Sequence, residues 1–252
     1  MLLQADDAPV YELLREQGTS PFLLTADHAG RLIPHKLGDL GVKLPEMDRH
    51  IAWDIGIASV TRQLSAALDA TAILQTFSRL VIDCNRVPNM ACAFPEVSEA
   101  TAIPGNKGLS PADKQARKTE IFDPYHNEIK RLIRNREQTV YVAMHSFTPV
   151  YLGKTRPMDI AVLYNRNPAL SKHLAALLRD EPGLVVAENE PYHVGDGTDY
   201  GVPVHAEGQG LDYLEIEIRQ DLIGDEAGQT DWANRLARLM PIALQNLRAQ
   251  NH

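Results

Sequence analysis

The stretch 140–146, with the sequence Val-Tyr-Val-Ala-Met-His-Ser, places an apolar run directly before two polar residues. A short apolar run rich in β-branched and aromatic residues predicts a strand that is buried on both faces. The same pattern occurs at 22–30, where Phe-Leu-Leu-Thr-Ala is followed by Asp-His-Ala-Gly. Strands of this kind are typical of parallel sheets, so the two stretches predict a covered sheet with polar groups where its strands end.

Helical patterns alternate with strands along the rest of the chain. Further strands are predicted at 72–76, 80–84, 160–164, 184–187 and 213–218. Helices are predicted at 48–68, with Asp48 as the N-cap, after Ser110-Pro111, at 168–179 and at 232–248. This alternation predicts an α/β fold with a mostly parallel, mixed central sheet. No repeat or linker divides the chain, so residues 1–252 are expected to form a single domain.

The composition argues against several classes of function. The net charge is −8, from 33 acidic and 25 basic residues, whereas proteins that bind nucleic acid usually carry a basic face. Residues 1–17 do not resemble a signal peptide, and no apolar run approaches the ~20 residues of a membrane span. Cys84 and Cys92 are expected to be reduced thiols. These features indicate a cytoplasmic protein without nucleic-acid or membrane partners, and they leave the oligomeric state open.

Two histidines follow predicted strands of the sheet. His28 comes just after the first apolar strand, and His145 follows the strand at 140–144. Either one alone is most simply a loop histidine with local hydrogen bonds. Because ligands sit beyond the carboxyl ends of parallel strands, the two together predict a shared site for a zinc ion. Asp54 is the predicted third ligand, and Asp27 is the alternative, which can instead orient His28.

Other charged residues lie near predicted strand ends. Glu215, Glu217 and Arg219 share one face of a strand, where they form either a solvated ion pair or a site with a general base. Arg86, after the predicted strand at 80–84, suits a substrate carboxylate, which arginine holds with two parallel hydrogen bonds. Arg79, Lys154 and Arg156 are further candidates that their positions favour less. Tyr200 follows a glycine-rich segment typical of loops that move over a site.

Several catalytic motifs are absent from the sequence. It has no G-x-S-x-G elbow, no Walker phosphate loop and no C-x-x-C pair, and no dinucleotide fingerprint follows the first strand. A serine hydrolase, a nucleotide-dependent enzyme and a dithiol oxidoreductase are therefore disfavoured.

The chain resembles the N-formylglutamate amidohydrolase family in short motifs that run in order along most of its length. The matching pieces are 25–30, 53–55, 78–86, 125–126, 144–146 and 214–219. The family usually has a Ser-Pro-His-Ser-Gly type of first motif, and here Ala26, Asp27 and Ala29 replace its serine, proline and serine. The resemblance therefore indicates a divergent branch.

The resemblance also implies a fold and a set of roles. The family is similar in fold to the zinc carboxypeptidases, which implies a three-layer α/β/α sandwich. The carboxypeptidase first motif, His-x-x-Glu, has Arg31 in place of its glutamate here, which leaves the carboxylate ligand to be assigned. The likeness favours Glu217 over Glu215 as general base. It assigns Asn85 and Arg86 to a substrate-carboxylate clamp, and Tyr200 to a lid.

Together these inferences predict a zinc-dependent amidohydrolase. One zinc ion held by His28, Asp54 and His145 is expected to assist hydrolysis of N-formyl-L-glutamate to formate and glutamate. Arg79 or Arg219 is expected to help stabilise the oxyanion. The alternatives are a carboxypeptidase-like peptidase, a deacylase of another N-acyl amino acid, and a binder of an acidic metabolite without catalytic activity.

Overall fold

A seven-stranded mixed sheet forms the centre of the computed structural model, which describes residues 1–136 and 138–250. The strands in chain order are β1 (Tyr11–Leu14), β2 (Phe22–Ala26), β3 (Thr71–Gln75), β4 (Val97–Ser98), β5 (Thr101–Ala102), β6 (Val140–Phe147), β7 (Val150–Tyr151), β8 (Lys154–Thr155), β9 (Ile160–Leu163), β10 (Val186–Glu188) and β11 (Asp212–Arg219). The central sheet has the order β1-β3-β2-β6-β11-β9-β10, while β4-β5 and β7-β8 form two small antiparallel pairs.

Helices cover both faces of the sheet. They are α1 (Leu44–Met47), α2 (Ile57–Leu68), α3 (Pro111–Arg117), α4 (Asp123–Arg134), α5 (Ala169–Arg179) and α6 (Glu226–Gln250). Apolar side chains of α2, α5 and α6 form one core against the sheet, and α4 with neighbouring loops forms a second core on the opposite face. The α/β fold with a mostly parallel mixed sheet is thereby confirmed. Its likeness to the zinc carboxypeptidases stays a prediction.

The register of the three central strands positions the site. Strands β2 and β11 both run parallel to β6 and flank it on either side. Val140, at the start of β6, lies opposite Phe22 on one side and Asp212 on the other, so all three strands end at the same edge. The seven strands of the central sheet come from positions 11–219 of the chain, which is consistent with the single domain that remains a prediction.

Several predicted boundaries are wrong. Strand β6 continues to Phe147, so His145 lies within the strand and not after it. The strand predicted at 184–187 is shifted to β10, and the last helix starts at Glu226 instead of residue 232. The helix predicted from Asp48 begins only at Ile57, because the chain turns at 49–56.

The predicted strand at 80–84 is a series of turns. The backbone N–H of Val81 donates to the carbonyl of Ser78, at 2.9 Å, and not to a neighbouring strand. Leu80, Val81 and Ile82 are buried in the second core, so the apolar run reports burial correctly but not strand structure. The guanidinium of Arg117 donates to the Val81 carbonyl at 2.8 Å, which satisfies a group that a strand would pair with its neighbour.

The helix predicted after Ser110 is present, because the sequence there carries an N-cap residue followed by proline. Helix α3 begins after Ser110 with both bonds of a capping box, since the Ser110 hydroxyl accepts from the Asp113 N–H and the Asp113 carboxylate accepts from the Ser110 N–H. Across the described residues, no helix is both long enough and apolar enough to cross a membrane.

Arg117 provides a test of how the turns at 80–84 are held. Its side chain is 2% exposed, and it donates to the Val81 carbonyl, to the Asn106 side chain at 2.6 Å and to the Gly105 carbonyl at 3.2 Å. We expect Arg117→Ala to lower the free energy of unfolding by about 2–4 kcal/mol, because two buried acceptors and one partly buried acceptor lose a charged donor. Urea titration followed by circular dichroism measures this loss.

The matched control is Lys114→Ala, which removes an exposed positive charge from the same helix. It should change the free energy of unfolding by less than about 0.5 kcal/mol. Equal effects of the two variants would show that the Arg117 hydrogen bonds do not hold these turns.

Candidate metal centre and active site

Three buried residues converge at the edge where β2 and β6 end. His28 lies two residues beyond β2, Asp54 lies in the turn before α2, and His145 lies in β6. One ligand atom from each lies within 4.8 Å of the others. The N–H of Asp54 donates to the His28 carbonyl at 2.8 Å, which ties the turn to the loop after β2. The structure thus brings together the three residues predicted as metal ligands.

Asp54 connects the two imidazoles. Its Oδ2 lies 3.1 Å from His145 Nδ1 and 3.6 Å from His28 Nδ1, and it accepts from the Ser146 N–H at 3.1 Å. Burial acts to raise the pKa of Asp54, but the two histidines outweigh it and hold that pKa below its usual value. Burial likewise acts to lower the pKa of His145, yet its hydrogen bond to Asp54 raises the pKa to about 10. The site therefore stabilises positive charge.

The donor set fits a divalent transition-metal ion. Among the residues that the structure describes, His28 Nδ1 and His145 Nε2 are buried ring nitrogens without a hydrogen-bond partner. Two imidazole nitrogens and one carboxylate oxygen are a common protein ligand set for zinc at catalytic sites, where a fourth position stays open. His28, Asp54 and His145 are thus the residues that would hold such an ion.

Asp83 orients His28, a role that the sequence analysis missed. Asp83 Oδ1 lies 2.7 Å from His28 Nε2, and Asp83 Oδ2 accepts two hydrogen bonds from Arg79, at 2.7 and 3.1 Å. A carboxylate on the far nitrogen fixes the tautomer of a metal-binding histidine. Asp27, the alternative considered for this role, instead accepts from the Tyr125 hydroxyl at 2.6 Å. The signal was the location of Asp83 inside the motif at 78–86.

Two acids of β11 face the same site. Glu217 lies directly opposite His145 in the parallel register, and Glu215 lies two residues before it on the same face. They are 7% and 3% exposed, so this face is not a solvated one. In the described part of the chain, the Oε2 atom of each is buried without a hydrogen-bond partner. Burial raises the pKa of each carboxyl to about 8.

Arg79 and Arg219, both predicted to assist catalysis, differ in their surroundings. Arg79 Nη1 lies 3.6 Å from Asp54 Oδ1, which places the guanidinium against the metal-type cluster, as we call His28, Asp54 and His145 together. Arg219 lies beyond Glu217 on β11, and its guanidinium pairs with Asp159 at 3.1 Å and Asp221 at 2.8 Å. The structure therefore places Arg79 in the site and engages Arg219 with two other carboxylates.

Asn85 and Arg86 hold the loop that carries Tyr200. The side-chain oxygen of Asn85 accepts from the backbone N–H groups of Tyr200, at 3.0 Å, and Gly201, at 2.9 Å. Arg86 donates to the carbonyls of Asn85 and Thr198. A side chain at position 201 would bring its Cβ to 2.8 Å from the hydroxyl of Tyr141, so this close approach requires glycine.

A buried histidine pair supports this loop from behind. His126 of α4 is buried, with its Nδ1 2.8 Å from His205 Nε2. His126 Nε2 lies 2.9 Å from the Cys84 carbonyl, which only accepts, so Nε2 donates and Nδ1 accepts from His205. Burial lowers the pKa of both rings, that of His205 to about 3, which keeps the pair neutral.

Comparison with known proteins gives consistent results. Residues 20–224 match the family model described as N-formylglutamate amidohydrolase. A gene product of Agrobacterium tumefaciens of known crystal structure is 35% identical, with a TM-score of 0.95 over 98% of this chain and 100% of that one. The N-formylglutamate amidohydrolase of Ralstonia eutropha JMP134 is 23% identical, with a TM-score of 0.66 over 95% of this chain and 98% of that one, which shows a shared fold. No curated protein matches the chain in sequence.

The matched range includes the three clustered residues and both acids of β11. Because the family model extends over more than half of the sequence, the chain belongs to the N-formylglutamate amidohydrolase family and is an amidohydrolase.

Proposed function

We propose that this amidohydrolase is zinc-dependent and hydrolyses N-formyl-L-glutamate to formate and L-glutamate. The family membership supports hydrolysis of the amide bond of an N-formyl amino acid. The observation that carries the proposal of a metal is a pair of buried nitrogens, on His28 and His145, that have no hydrogen-bond partner among the described residues and lie next to the Asp54 carboxylate. Buried polar atoms usually have a hydrogen-bond partner, and two imidazole nitrogens and a carboxylate that lie close together suit a metal ion.

His28, Asp54 and His145 would hold the zinc ion. When bound, zinc supplies a Lewis acid that polarises a carbonyl oxygen and makes a nearby water molecule more acidic. Asp83 keeps the proton of His28 on Nε2, so that Nδ1 stays available as a ligand. Asp83 therefore fixes the tautomer of His28 in the protein without substrate.

Glu217 is the proposed general base. It takes a proton from the attacking water and delivers a proton to the leaving amine nitrogen, so that the amide and one water become formate and a free amino acid. Glu217 lies opposite His145, and its buried Oε2 has no hydrogen-bond partner in the part of the chain that the structure describes, which supports this role. Arg79, which Asp83 holds in place, is the proposed partner of the carbonyl oxygen as negative charge develops there.

The remaining site predictions stand as proposals. For Asn85 and Arg86 to clamp a substrate carboxylate, the loop at 195–201 would have to release them, since their polar atoms hold it. Movement of that loop would also carry Tyr200, whose ring packs against Phe122 and His126. Arg219 would act on the oxyanion only after leaving Asp159 and Asp221.

Replacing the general base tests the mechanism. We expect Glu217→Gln to lower kcat for N-formyl-L-glutamate by about 10²–10⁴, because the amide cannot take the proton from water. Formate release measures turnover, and elemental analysis should find the same zinc content as in the wild type. Glu215→Gln, on the same face of β11, is the comparison and should lose less activity. Full activity in Glu217→Gln would exclude this residue as the base.

The metal proposal has its own test. His28→Ala and His145→Ala should each lose bound zinc, as measured by elemental analysis, because each removes one of three ligands. His173→Ala, which removes a partly exposed histidine on α5, should keep the zinc. A wild-type protein that neither contains nor takes up a divalent metal ion would contradict the proposal and favour a binder without catalytic activity.

Asp83→Asn tests whether the carboxylate that orients His28 contributes to zinc binding without being a ligand. The variant should bind zinc about 10–100-fold more weakly, since the amide no longer fixes the His28 tautomer through a charged hydrogen bond. Competition with a chromophoric chelator measures the affinity. Unchanged affinity would show that Asp83 serves only to hold Arg79.

A substrate panel separates this activity from its alternatives. N-formyl-L-glutamate, its N-acetyl counterpart and a dipeptide ending in glutamate differ only in the acyl group. Preference for the N-acetyl compound or the dipeptide would replace the proposed substrate with a deacylase or a peptidase substrate.

A further inference from the structure

Three aromatic rings surround the guanidinium of Arg156 after β8. Its Cζ atom lies 4.7 Å from the ring centre of Tyr151, 4.9 Å from that of Tyr192 and 6.0 Å from that of Phe147. A guanidinium held against aromatic faces gains cation–π stabilisation and loses freedom to move. The backbone N–H of Arg156 donates to the Pro149 carbonyl at 2.8 Å, which fixes the base of the side chain.

This aromatic cage, formed by Phe147, Tyr151 and Tyr192, adjoins the metal-type cluster. Phe147 lies two residues after His145 on β6, so the two side chains point to the same face of the sheet. Burial and the nearby charge of Glu217 raise the pKa of Tyr192, while the Arg79 charge acts in the opposite direction. The phenol of Tyr192 therefore lies within electrostatic reach of the proposed base and of the arginine beside Asp54.

In the described part of the chain, Arg156 differs from the other arginines near the site in having no acidic partner. Arg79 pairs with Asp83, and Arg86 lies 3.6 Å from Asp199. Within residues 1–136 and 138–250, no carboxylate lies at ion-pair distance from Arg156. Its one side-chain hydrogen bond there runs from Nη1 to the Tyr192 hydroxyl oxygen, at 2.9 Å, which leaves most of its five N–H donors free.

Tyr192 adds a second donor at the same place. Its oxygen accepts from Arg156, so its own O–H proton stays available. Tyr192 is 42% exposed, and Arg156 is partly exposed, so a solute can reach both groups. An immobilised guanidinium with an adjacent hydroxyl matches the two oxygens of a carboxylate.

We infer that Arg156 and the hydroxyl of Tyr192 bind a carboxylate of the substrate and so select acidic N-formyl amino acids. This inference rests on the proposed function, which supplies the substrate, and it names the group that anchors it. Arg156 makes this contact without giving up an existing ion pair, whereas Arg86 and Arg219 would each have to leave their carboxylates.

Kinetics of Arg156→Gln test the inference. We expect KM for N-formyl-L-glutamate to rise tenfold or more with kcat changed less than about threefold, because the contact binds the ground state and the transition state alike. Arg156→Lys should recover part of the loss, since it keeps the charge but not the planar fork. Tyr192→Phe should raise KM less than Arg156→Gln does. Lys172→Gln, which removes an exposed charge from α5, is the control and should leave KM unchanged.

Neutral analogues of the substrate identify the carboxylate. N-formyl-L-glutamine lacks the side-chain carboxylate, and the α-amide of N-formyl-L-glutamate lacks the α-carboxylate. For the analogue that lacks the partner carboxylate, wild type and Arg156→Gln should have the same KM. A KM that rises equally for all three compounds in Arg156→Gln would overturn the inference, because the variant would then be disturbing the site and not a charge pair.

Equilibrium binding of L-glutamate distinguishes failure of this inference from failure of the proposed function. By calorimetry, Arg156→Gln should bind the product at least tenfold more weakly than wild type. That result in a protein that does not hydrolyse N-formyl-L-glutamate would uphold the carboxylate site and refute the proposed substrate. Hydrolysis with equal KM and equal product binding in both proteins would uphold the function and refute Arg156 as anchor. Absence of both hydrolysis and product binding in wild type would refute both.

Discussion

The parallel pairing of β2 and β11 on either side of β6 is the constraint on which the site depends. Parallel strands end at the same edge, so residues that are more than one hundred positions apart in the chain become neighbours. The register puts Glu217 directly opposite His145, and β2 ends so that His28 reaches the same place. Because side chains alternate, a shift of one residue would turn Glu217 to the far face.

Such convergence concentrates negative charge in the interior. Asp54, Asp83, Glu215 and Glu217 are all buried at this edge, and burial alone disfavours each carboxylate. The chain offsets part of this cost with cationic and donor groups. Asp54 and Asp83 share the two imidazoles and Arg79. For Glu215 and Glu217, burial outweighs the charge of His145 and raises the pKa of each carboxyl. A divalent cation would compensate this excess of acidic groups, so the donor geometry and the electrostatics support the same proposal.

The sequence was most informative where one local pattern determined one structure. The apolar runs at 22–26 and 140–144 predicted the strands that carry His28 and His145, and their order predicted the class of fold. It was least informative where a contact joins distant residues. Nothing in the spacing links Asp83 to His28, 55 positions earlier, or His205 to His126, 79 positions earlier. The run at 80–84 predicted a strand because periodicity reports burial, whereas Arg117, outside that run, holds it in turns.

Arginine shows why residue type and position in the sequence are not enough to assign a role. Arg86 and Arg219 belong to family motifs and so were favoured, yet nearby carboxylates and carbonyl oxygens already occupy their guanidinium groups. Arg156 had no motif to favour it, and in the described structure it is the arginine beside the site that aromatic rings hold without an acidic partner. A fixed cation that keeps its hydrogen-bond donors free retains its binding energy for a ligand, whereas a paired one has to break a contact first. The absence of an internal partner, a property of the folded chain alone, is therefore what separates an arginine that recognises substrate from one that maintains a loop.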